Sequence, residues 1–91
     1  MPVARRFLIS GHVQGVGFRW YAKDAAEREG ATGWVRNLPD GRVEVWVEAD
    51  ATAMARVERA LRAGPQRAHV ERVVTMDGEP PSGSYRAFSI T

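Results

Sequence analysis

The sequence predicts an α+β protein, a split βαβ sandwich in which two helices cover one face of a sheet. Several short runs alternate apolar with polar residues, and two longer stretches switch to a 3.6-residue apolar period. These runs follow one another in the order βαββαβ, with one further short strand at the end. In the split pattern a strand lies between the two that the first crossover joins, so the first and second strands run the same way. Neighbouring strands are expected to be antiparallel.

The first strand is read from Arg5 to Val13, with Phe7, Ile9 and Val13 on one face and Arg6, Ser10 and His12 on the other. Gln14-Gly15-Val16-Gly17 interrupts it. From Phe18 the spacing Phe18, Tyr21, Ala22, Ala25, Ala26 is that of an amphipathic helix, and Gly30 is its stop. Ala31 to Leu38 reads as a second strand and Pro39-Asp40-Gly41 as a turn. Val43, Val45 and Val47, alternating with Glu44, Trp46 and Glu48, then form a third strand. Asp50 caps a second helix whose stripe is Ala53, Met54, Val57, Ala60 and Leu61, and Gly64-Pro65 ends it. Val70 to Met76 is a fourth strand, residues 78–83 a loop, and Tyr85 to Ile90 a short closing strand.

A chain of 91 residues has room for one hydrophobic core, so a single domain over residues 1–91 is expected. Its 44% apolar and 26% charged residues are ordinary for a globular protein, and no stretch approaches the ~20 apolar residues of a membrane helix. The basic start Met1 to Phe7 is followed by an apolar run that breaks at Ser10-Gly11-His12, too early for a secretion signal. Without cysteine the chain has no disulfide, thiolate nucleophile or thiolate metal site, and a cytoplasmic location is expected. The net charge of +2 comes from 13 basic against 11 acidic residues, interspersed rather than gathered with aromatics on one face. That pattern suits a small anionic ligand better than nucleic acid.

Gln14-Gly15-Val16-Gly17-Phe18-Arg19 joins the end of a strand to the start of a helix, where free N–H groups and the positive dipole end favour an anion. Glycines there let the backbone approach a phosphate closely, although an ordinary turn needing positive φ has the same composition. Arg19, in the first helical turn, adds a guanidinium fork that matches phosphate oxygens. The topology brings the end of the strand carrying Asn37 to this loop. An amide beside a turn ordinarily bonds the local backbone, but next to a phosphate site it can hold a water without titrating.

Gly11-His12-Val13-Gln14-Gly15-Val16-Gly17-Phe18-Arg19 and Gly33-Trp34-Val35-Arg36-Asn37-Leu38-Pro39-Asp40-Gly41 resemble the two signature motifs of the acylphosphatase family. The resemblance extends over the chain's length and element order. It implies a ferredoxin-like fold and hydrolysis, without a cofactor or metal, of acyl phosphates such as acetyl phosphate, carbamoyl phosphate or 1,3-bisphosphoglycerate. It places the phosphate-binding loop on Gln14, Gly15, Val16, Gly17, Phe18 and Arg19, with the amides of Gly15 through Arg19 as donors. Arg19 is then the phosphate clamp and Asn37 the residue that positions water. The first helix, with Lys23-Asp24 and Glu27-Arg28-Glu29, is more charged than the family leads one to expect.

Other residues are expected to be structural. His12 and His69 read as surface or structural, with no metal pair, and Trp20, Trp34 and Trp46 as core or sheet-surface packing. Glu44 and Glu48 read as a solvated strand face. The expected mechanism is attack of water on phosphorus with departure of the carboxylate, in a monomer with no nucleic-acid or membrane partner. Two alternatives are a non-catalytic module of the same fold that binds RNA or a small anion, and the acylphosphatase-like part of a larger carbamoyl-transfer enzyme. A freestanding enzyme is the simpler expectation.

Overall fold

The computed structural model describes residues 2–91. Its elements are β1 (Pro2–His12), α1 (Phe18–Arg28), β2 (Thr32–Asn37), β3 (Val43–Asp50), α2 (Ala51–Ala63), β4 (His69–Met76) and β5 (Phe88–Ile90). They form one five-stranded sheet in the order β4-β1-β3-β2-β5, with both helices packed on the same face. The predicted α+β split βαβ architecture is present: β3 lies between β1 and β2 and pairs antiparallel with both. No helix among the described residues is long and apolar enough to cross a membrane.

Local chemistry accounts for the element ends. Gly30 donates to the Glu27 carbonyl and Ala31 to the Ala26 carbonyl, the paired closure that seals a helix C-terminus. Asp50 accepts from the Ala53 amide at 2.8 Å as the N-cap of α2. Between the helices and the sheet lies the core, built on Phe7, Ile9, Val13, Phe18, Val35, Val45, Val47, Met54, Val57, Leu61 and Phe88. β1 begins earlier than Arg5 because β3 runs on to Asp50, which gives Pro2 a partner.

The sheet is mixed rather than wholly antiparallel, because β5 pairs parallel with β2. Chain direction is the reason. β4 is antiparallel to β1, so Met76 leaves the sheet at the end where β2 begins. A segment that crosses the outer face from there re-enters the sheet running with β2. That crossing consumes residues 77–87, so the last strand starts at Phe88 and not at Tyr85.

The crossing also overturns the expected solvated face of β3. Glu44 and Glu48 are only 7% and 6% exposed. Glu48 accepts from Trp46 Nε1 (2.7 Å), Ser82 Oγ (2.7 Å) and the Gly83 amide (3.0 Å), which straps the crossing to the sheet. Glu44 accepts from Arg36 Nε at 2.6 Å, and the Arg6 guanidinium lies 5.5 Å over the Trp46 ring.

Candidate active site

The ends of β1 and β2 meet where the topology requires. Val13, Gly15, Gly17, Phe18, Arg19, Trp20 and Asn37 line one cavity of about 200 Å³. Gly15 and Gly17 have φ of 76° and 79°, which would strain any residue with a Cβ. Both have open space where a Cβ would stand, so the constraint comes from the backbone conformation. Gly17 is the N-cap residue of α1 and contributes no side chain.

The first intrahelical bond at this end runs from the Tyr21 amide to the Gly17 carbonyl, at 3.0 Å. No backbone carbonyl among the described residues accepts from the amides of Gly15 to Trp20. A helix N-terminus always leaves such donors, and Gly15, Gly17, Phe18, Arg19 and Trp20 line a cavity at the positive end of the helix dipole. Arg19 is half-buried and has no carboxylate within ion-pairing distance among the described residues. Most other arginines in the chain are committed, for example Arg5 to Glu58 and Arg42 to Asp40.

Asn37 brings an amide to the same wall. Its Oδ1 is buried and has no hydrogen-bond partner among the described residues. A buried acceptor without a partner costs about 1–3 kcal/mol, so native structures rarely keep one without a reason.

Two loop residues hold the site without lining it. Gln14 Nε2 donates to the carbonyls of Leu38 (2.8 Å) and Arg42 (2.9 Å), tying the loop to the turn between β2 and β3. Val16 packs against the core. The turn is itself fastened: the Arg42 amide donates to Asp40 at 3.1 Å and its guanidinium at 2.8 Å, which hold the Asp40 carboxyl below the usual range.

Trp20 departs from the expected packing role, being 68% exposed on the cavity wall. The signal was present in the sequence, since position 20 lies off the stripe Phe18, Ala22, Ala25, Ala26 that α1 buries. Trp34 and Trp46 do pack on the outer sheet face. His12 and His69 are exposed and face each other across β1 and β4, a pairing that sequence separation concealed. No group of three or more His, Cys, Asp or Glu among the described residues could hold a metal ion.

A larger groove of about 620 Å³ lies at the opposite end of β1, lined by Pro2 to Arg5, Met54 and Pro80-Pro81. It carries Asp77 and Glu79, and Arg5 is already paired there with Asp77 and Glu58. Two carboxylates make it a poor seat for an anion.

The acylphosphatase family model matches residues 5–90. An acylphosphatase from Rubrobacter xylanophilus is 48% identical over 85 residues, covering 93% of this chain and 76% of that protein. One from Anaeromyxobacter dehalogenans is 47% identical over 88 residues, covering 97% of this chain and 94% of the other. The crystal structure of acylphosphatase from Bacillus subtilis superposes with a TM-score of 0.93 at 31% identity, covering 100% of this chain and 99% of that one. With its motifs, its fold and these relatives in agreement from β1 to β5, the chain belongs to the acylphosphatase family.

Proposed function

We propose that this acylphosphatase seats the phosphoryl end of an acyl phosphate on the amides of Gly15 to Arg19 and on the Arg19 guanidinium. Asn37 holds a water in line with the bond between phosphorus and the acyl oxygen. Water attacks phosphorus, that bond breaks, the carboxylate leaves with its electron pair, and inorganic phosphate remains. The observation that carries the reading is the set of unpartnered amides beside an unpaired guanidinium in one small cavity.

A carboxylate is already a good leaving group, and the transition state spreads charge over the equatorial phosphoryl oxygens. Positioning and fixed dipoles therefore supply most of the catalysis, with no protein nucleophile and no covalent intermediate. The side-chain amide of Asn37 lies on the cavity wall and can both donate and accept, which supports the water-holding role. The substrate phosphate takes the proton that the water loses. The reading includes a one-domain, monomeric enzyme of the cytoplasm with no nucleic-acid partner. In its support, only Val3, Trp20, Met76 and Tyr85 are exposed large hydrophobics among the described residues.

Hydrolysis of benzoyl phosphate in ¹⁸O-labelled water tests the route. Label is expected in inorganic phosphate and none in benzoate. Label in benzoate would mean attack on the carbonyl carbon and would overturn the mechanism.

A further inference from the structure

We propose that Trp20 forms the acyl side of the substrate site and makes it select flat, apolar acyl groups, aromatic ones above all; this rests on the phosphoryl seat assigned above. Trp20 is the most exposed of the large hydrophobics, at 68%. Its indole is also the one whose N–H makes no hydrogen bond to a described residue, whereas Trp34 donates to Tyr85 Oη at 3.1 Å and Trp46 to Glu48 at 2.7 Å. A large apolar ring left in water at the rim of a cavity gains by covering itself with ligand.

The rest of the lining narrows the choice. Val13 and Phe18 are buried, Gly15 and Gly17 have no side chain, and Arg19 and Asn37 are the polar lining residues assigned above to the phosphoryl end and the water. In-line displacement sends the leaving group out opposite the attacking water, hence away from Asn37. Trp20 is the apolar wall that remains for it. A ring stacked there adds affinity that a methyl group cannot match.

The test compares benzoyl phosphate with acetyl phosphate in the parent, Trp20→Ala and Trp20→Phe, none of which disturbs the core because the indole is exposed. The ratio of kcat/KM for benzoyl over acetyl phosphate is expected to fall about five- to tenfold in Trp20→Ala, mostly through KM. Trp20→Phe should restore most of the ratio. Inhibition by inorganic phosphate should keep its parental constant. An unchanged ratio, or an equal loss on both substrates, would overturn the acyl-side assignment. A weakened inhibition by phosphate would move Trp20 to the phosphoryl end and overturn it too. Failure of the parent to hydrolyse either substrate would instead bring down the phosphoryl seat, and this inference with it.

Discussion

Replacing Asn37 by alanine should separate activity from stability in an unusual direction. Asn37 contributes a buried oxygen with no partner among the described residues, and such an acceptor costs the folded state about 1–3 kcal/mol. Alanine removes that cost, while truncating a half-buried polar side chain gives up about 1 kcal/mol of packing. The variant is therefore expected to be as stable as the parent or up to about 2 kcal/mol more stable. In a domain of this size each kcal/mol moves Tm by about 4–8 °C. Loss of one oriented polar group should cut kcat by about 10²–10³. Thermal unfolding followed by circular dichroism, with benzoyl phosphate kinetics on the same preparation, reads both quantities. A clear fall in Tm would mean that Oδ1 has a partner in solution and that its burial costs the folded state nothing. A normal kcat with lost phosphate affinity would reverse the roles given to Asn37 and Arg19.

Two further outcomes follow from the same geometry. Arg19→Ala and Arg19→Lys should both lose phosphate affinity and kcat/KM while folding normally, since Arg19 supports no ion pair; hydrolysis by Arg19→Ala at the parental rate would remove it from the site. Burial pushes the Glu48 carboxyl up, but the hydrogen bonds from Trp46, Ser82 and Gly83 outweigh it and hold the folded group below its ordinary value. The stability it supplies is therefore complete above the unfolded glutamate pKa and is lost as pH falls through the folded one. Lowering the pH should open residues 79–87 to protease, and Glu48→Gln should do so at neutral pH by turning an amide N–H₂ toward donors; a Gln variant as resistant as the parent would refute the strap.

What the sequence determined by itself are the features that depend on neighbours along the chain. Glycine at positions 15 and 17, a helix starting at Phe18 with Arg19 in its first turn, and a strand ending at Asn37 are each written within a few residues, because φ preferences, capping and apolar period act at that range. The split βαβ order then brings Arg19 and Asn37 together, since two strands that run the same way end at the same end of the sheet. Tertiary structure decided what depends on the crossing segment and on contacts distant in sequence. Alternation around Val43 to Val47 marked Glu44 and Glu48 as the polar face, correctly as to side. Burial of that face depends on residues 79–85, more than thirty positions away from Glu48. The parallel direction of β5 was likewise set by the end of the sheet from which Met76 departs. Gln14 reads locally as one more loop residue, and only the fold turns its amide onto Leu38 and Arg42, whose carbonyls lie 24 and 28 positions further along the chain.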